Sequence, residues 1–455
     1  MTAPAPNFAR SAVATSVANA AVLALSLLTS ILVARVLGPD GKGAYTLVLL
    51  YASIFVFAST LGLHQAAAFF LGRREYSPDE VFGHTLLYLA GLAVAATAAA
   101  AVLRPLLAAT IFPGVPARWL VFAIPLIVGQ LAFGFLAFIL LGLQEIAGYN
   151  LVQVLRGMVL LLIAAPALLT GYGVAGVLTA EFASFLIVAG LAFLLAIRRI
   201  RGISTRFNQR YVRASLRYGL AVYSGTALSF FHYRTALLLL SAFTTPAVVG
   251  LYSVAAGLAG NLSLISQGAA TVLFPRISSD PAAARDTELT PLVLRTVLLV
   301  SGTAAGVLAV AGPWLIMGIF TDAFAGSVGA LQILLPGAVA LCVWSILDSY
   351  FKGTGRPVWS TLTTGLAVVV GAALSVWWIP RYGLRGASAA SSVAYILSLI
   401  VALTAYTRFS GLPLRTVLVP RRADVPLYRG IVIRLLGARG GEGPVRPEAT
   451  GGGTL

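Results

Sequence analysis

Arg156, Glu181 and Arg234 each interrupt a long apolar run. If those runs lie in a bilayer, a charge near the centre costs about 2.5–3.5 kcal/mol and must be compensated. An arginine there offers two parallel hydrogen bonds to a phosphate or a carboxylate. Tyr223, Thr226 and Phe230 share the helical face of Arg234, and Asn150 and Gln153 share that of Arg156. Asn19, His64, Gln130, Asn261 and Gln267 are neutral polar residues in other apolar runs. Such groups line a cavity or bond a neighbouring helix. The competing reading of Arg234 is a buried pair with Glu181 at similar depth. Arg156 and Asp348 are near enough to a surface to snorkel. Arg35 reads as an interfacial anchor, and His232 as a satisfied interhelical histidine.

Catalysis has little to stand on. No His/Cys/Asp/Glu cluster has metal-ligand spacing, and no GxSxG or P-loop occurs. The loops expected to face outward carry only Asp40 and Asp322 as acids. The expectation is a non-enzyme with neither metal nor cofactor. The one cysteine, Cys342, allows no intrachain disulfide.

The elements that must position these residues are membrane helices. Hydrophobic residues make up 59% of 455 and charged residues 10%, against about 25% charged in a soluble chain. The apolar runs are continuous rather than alternating, which excludes a β-barrel. Twelve are long enough to span: 12–36, 43–71, 82–103, 118–143, 150–170, 174–197, 217–241, 248–273, 291–318, 327–350, 358–379 and 384–407. The first is too long for a signal-peptide core and reads as an uncleaved span. Gly38-Pro39-Asp40-Gly41-Lys42 reads as an outward loop.

Net charge is +17, which suits anionic membrane lipids as partners rather than nucleic acid. Of the Lys and Arg residues, 22 fall on the side of the termini and 6 on the other. That bias predicts cytoplasmic termini in an inner (plasma) membrane. Arg206, Arg210, Arg213 and Arg217 predict an amphipathic helix in the headgroup layer. The tail from about Phe409 has a possible surface helix at Tyr428–Leu436 and a disordered end, Gly437–Leu455.

The halves repeat. Pro39, Gly43 and Tyr45 recur as Pro246, Gly250 and Tyr252 at an offset of 207. Pro105, Leu107, Ile111 and Phe112 recur at 208, and Tyr172, Gly173 and Gly176 at 210. Six spans per half is even, so the repeats are parallel, as in transporters whose halves rock about a central site. The expected organisation is a six-helix lobe over 1–197, an amphipathic linker over 198–216, a second lobe over 217–408 and a basic tail over 409–455.

Ala34-Arg35-Val36-Leu37-Gly38-Pro39 followed by Gly43-Ala44-Tyr45 resembles the N-terminal signature of polysaccharide-biosynthesis flippases. These form the Wzx-like branch of the MOP exporter superfamily. The resemblance covers about residues 8–410. It implies an all-α, MATE/MOP-like fold of twelve transmembrane helices in two parallel six-helix repeats. It also implies that a lipid-linked glycan, commonly on undecaprenyl pyrophosphate, crosses by alternating access through a cationic cavity. Glycan-assembly proteins would be partners. Arg234 and Arg156 would meet phosphate. Tyr223, Thr226, Asn19, His64, Gln130, Asn261 and Gln267 would meet the rest of the headgroup, and Glu181 would be a coupling group. The alternative is a MATE-like, ion-coupled exporter of amphiphiles. Drug exporters of that branch often carry an acid in span one, whereas the first acid here is Asp40.

Overall fold

The computed structural model of the chain describes residues 5–419 apart from 201, 205 and 280–287, together with Arg421 and Asp424. The described residues form helices and no strands. Apolar surroundings leave no water for backbone groups, and a helix satisfies them within one segment. Among the described residues, nine helices are long and apolar enough to cross a membrane. Two of them, Ala5–Thr60 and Pro357–Ser410, are double length and turn back at Gly38 and Gly383. Gln209–Phe243 is a further, more polar crossing, which brings the count to the expected twelve.

The two turns show why glycine is needed. Gly38 has φ 65° and Gly383 φ 51°, a region closed to most side chains. Lys42 Nζ lies 3.0 Å from Ser30 Oγ, a contact impossible twelve residues along a straight helix. The expected loop at 38–42 is therefore a single-residue turn. Pro39 opens the second span, where its missing N–H costs nothing, and Lys42 is inside the bundle rather than outside it.

Gln209–Phe243 also departs from expectation. The arginine-rich segment is no separate surface helix. It continues without interruption through 216 and 217 into span seven. Tyr211, Ser215 and Gly219 on its back are buried. The preceding linker is tied to the start of span three. Asn208 N–H donates to His84 Nε2 at 3.1 Å, Asn208 Nδ2 donates to Glu80, and Ser204 N–H donates to Asp79 O at 3.1 Å.

Part of the tail is docked as well. Leu414–Leu418 is a short helix with Val417 buried. Arg295, at the start of span nine, donates to Asp424 at 2.7 and 2.9 Å and to the Thr416 carbonyl at 2.6 Å. The expected elements at 428–436 and 437–455 lie outside the described residues. Lys and Arg crowd one end of the bundle, hereafter the arginine-rich end; Gly38, Gly173 and Gly383 turn the chain at the other.

Candidate functional site

Spans one, two, four, five, six and seven enclose a chamber of about 470 Å³. Its charged lining is Lys42, Arg156, Glu181 and Arg234, with Ser26, Tyr45, Ser53, Gln130 and Gln153 among its polar residues. Glu181 is 4% exposed. Its Oε2 accepts from Arg156 Nη1 at 3.2 Å and its Oε1 from Tyr45 Oη at 2.5 Å. The Arg156 guanidinium also lies 4.6 Å from the Phe185 ring centroid. Lys42 is 6% exposed; among the described residues its ammonium donates a hydrogen bond to the neutral Ser30 hydroxyl and lies 5.4 Å from the Tyr45 ring centroid.

Two readings are corrected here. Glu181 pairs with Arg156, not with Arg234. Arg156 therefore does not snorkel; its charge is held at the carboxylate. Arg234 has no hydrogen bond or ion pair to the described residues, so its expected protein partner is absent among them. Three cations against one carboxylate leave a surplus of two positive charges. In a low-dielectric chamber such a surplus attracts an anion strongly.

The repeat sets the acid of this chamber in the first half, whereas Arg234 comes from the second. Tyr45 bonds Glu181, and its repeat mate Tyr252 bonds Ser391 at 3.2 Å. The Tyr45–Tyr252 offset is 207 and the Glu181–Ser391 offset 210, both offsets of the sequence repeat. The same helix-to-helix bridge thus carries an acid in the first half and a hydroxyl in the second.

A second chamber of about 300 Å³ shares Ser53 and Gln130 with the first. It is lined by Phe57, Thr60, His64, Gln65, Phe138, Tyr223, Thr226 and Phe230 among others. Phe57 stacks on Tyr223 at 4.8 Å and on Phe230 at 4.4 Å, so each of those rings has a face occupied. His64 Nδ1 and Gln65 Oε1 are buried without hydrogen-bond partners among the described residues. Such orphaned atoms are costly and suit a polar ligand.

The predicted residues thus divide. Arg156, Arg234, Gln130 and Glu181 line the first chamber, and His64, Tyr223, Thr226 and again Gln130 line the second. Asn19 and Gln267 are exposed and line neither; Gln267 bonds Ser263 at 3.2 Å. Asn261 lies where span eight is interrupted, between Gly260 and Ser263, and also lines neither. His232 is not satisfied as expected, since both ring nitrogens are buried without hydrogen-bond partners among the described residues. Sequence reasoning missed Lys42 and Tyr45. The available signal was Pro39 with Asp40, a helix start that puts Lys42 on the face of Tyr45 and Ser53.

At the end away from the arginines the two lobes are shut. A Cβ on Gly43 would stand 1.7 Å from the Pro246 carbonyl oxygen, and one on Gly250 2.1 Å from that of Pro39. Arg35 donates to the carbonyls of Gly318 and Ile319 at 2.5 and 2.6 Å. It caps the end of span nine from the opposite lobe, where a cation complements the helix dipole, and is thus more than an interfacial anchor.

Residues 8–280 match the family model described as polysaccharide biosynthesis protein. No curated protein matches. Among solved structures, the lipid II flippase MurJ in an inward closed conformation is 14% identical, with a TM-score of 0.74. The match covers 93% of this chain and 92% of that one. An inward-facing multidrug resistance MATE family transporter of the MOP superfamily is 18% identical, with a TM-score of 0.68 and coverages of 86% and 95%. An outward-facing one, also 18% identical, scores 0.60 with coverages of 88% and 96%. The fold is that of MOP transporters, and the chain is a multi-pass membrane protein.

Proposed function

Because the chain belongs to the polysaccharide biosynthesis protein family, we propose that it moves a lipid-linked oligosaccharide from the inner to the outer leaflet of the plasma membrane by alternating access. The carrier is a polyprenyl pyrophosphate. The observation that carries this reading is the surplus of positive charge in the first chamber, with Arg234 unpaired among the described residues. Arg234 and Lys42 take the phosphates, and Arg156 does so in exchange with Glu181. Sugars reach the second chamber, where His64 and Gln65 offer unpaired atoms and Tyr223 and Phe230 offer ring faces once Phe57 moves. The lipid tail stays in the bilayer between the lobes. Glu181 is the coupling candidate, because a phosphate that draws Arg156 away leaves its carboxylate to be neutralised by a proton.

The arginine-rich end is cytoplasmic, in keeping with the Lys/Arg bias. The closed opposite end is then external, and the higher score against the inward-facing relative agrees with that state. The reading includes no catalytic step. Export of organic cations fits poorly, since the chamber would repel them.

Arg234→Ala tests it. Export of surface glycan should stop while membrane abundance stays near normal, because no protein partner is left unpaired. Arg234→Lys should restore part of the activity by keeping charge without bidentate geometry. Normal glycan export by Arg234→Ala would sink the phosphate-binding role.

A further inference from the structure

We propose that Arg210, Arg213 and Arg217 form a docking site for the phosphate of an anionic lipid, at the arginine-rich end where span seven enters the membrane. All three are exposed on one face of Gln209–Phe243. None has an ion pair among the described residues. With Ala214, Tyr218 and Ala221 they line a groove of about 790 Å³ that runs from the charged end toward the membrane. One wall is held in place, because Tyr218 stacks on Phe69 at 4.1 Å.

Two local forces oppose this arrangement. Like charges spaced three and four residues apart repel. Cations also sit badly at the positive end of a helix dipole, and the first turn has no acid to offset them. Orientation in the membrane requires positive charge on that side, but not on one face of an immobilised helix.

The back of the helix is fixed. Tyr211 is fully buried, Ser215 bonds Tyr88 at 2.9 Å, and a Cβ on Gly219 would meet the Leu61 carbonyl oxygen at 2.6 Å. Asn208 caps the first turn through the N–H groups of Arg210 and Tyr211. The fixed back holds the Cα positions of the three arginines in one row, so binding phosphate costs side-chain freedom but no ordering of the backbone. The groove beyond them is walled by Ala214, Ala221 and the Tyr218 ring, which favours a phosphate that carries a lipid tail. The same helix carries Tyr223 and Arg234 into the two chambers. Under the function proposed above, on which this last step rests, the site collects the carrier lipid before its headgroup enters.

Purified protein in nanodiscs is offered phosphatidylglycerol, a polyprenyl phosphate or phosphatidylcholine, and retained lipid is counted by native mass spectrometry. The variant Arg210→Gln/Arg213→Gln/Arg217→Gln is compared with Arg74→Gln/Arg198→Gln/Arg408→Gln, which loses the same charge elsewhere. Anionic lipid should be retained over phosphatidylcholine, and retention should fall about fivefold per arginine in the first variant only. Preference for the polyprenyl phosphate marks capture of the carrier; equal retention of phosphatidylglycerol marks a general anionic-lipid site. Equal losses in both variants, or no preference over phosphatidylcholine, would overturn the proposal. If the triple variant fails to fold, each single change is read the same way. Retention is measured without transport, so a failed export assay counts against the proposed function and not against this site.

Discussion

Gly43 and Gly250 are 207 residues apart and meet backbone to backbone between the two lobes. A Cβ on either would come within 3.1 Å of the other's amide nitrogen, and much closer to the carbonyl of Pro246 or Pro39. Each glycine faces the proline that precedes its repeat mate by four residues. The contact is therefore reciprocal, as a two-fold between parallel repeats requires.

This seal should not tolerate a methyl group. Gly43→Ala would force the lobes apart at that end and hold the first chamber open there. Glycan export should fall by at least about tenfold at normal abundance. A cysteine at Thr46 should react faster with an impermeant thiol reagent added outside intact cells. Unchanged labelling and export would mean that the closure is not part of the cycle.

The pairing of Arg156 with Glu181 makes a second prediction. Arg156→Ala leaves a buried carboxylate with Tyr45 alone and should destabilise the protein by about 3 kcal/mol. The double change Arg156→Ala with Glu181→Gln should recover thermal stability in detergent but not export. Recovery of export as well would reduce the pair to a structural bridge.

The tail divides at the Arg295–Asp424 pair, whose side chains are 4% and 5% exposed. A stop after Ser410 strands Arg295 without its carboxylate and should cost about 3–5 kcal/mol, read as lost membrane abundance. Asp424→Asn should do much of the same. A stop after 437 keeps the pair and should leave export intact. Equal abundance for both truncations would show that the docked segment contributes nothing.

Much of this protein is written in the order of its residues. Length and continuity of apolar runs dictate membrane helices, because a bilayer has one thickness and backbone groups must be satisfied locally. The repeat was legible in Pro39/Pro246 and Gly43/Gly250, and the arginine asymmetry in a simple count. The polar residues inside spans could also be named, and several line the chambers. Which of them meet could not be read. Depth along a helix follows from residue number, but the neighbour it faces depends on how helices pack and rotate. Expected depth matched Glu181 with Arg234 and set Arg156 nearer a surface, yet packing gave the carboxylate to Arg156. Lys42 looked like a loop residue until the turn at Gly38 drew it beneath Ser30. Arg295 and Asp424, 129 residues apart, carry no local signal of their pairing. Charge pairing inside a membrane is decided by azimuth and contact, which are properties of the assembled bundle.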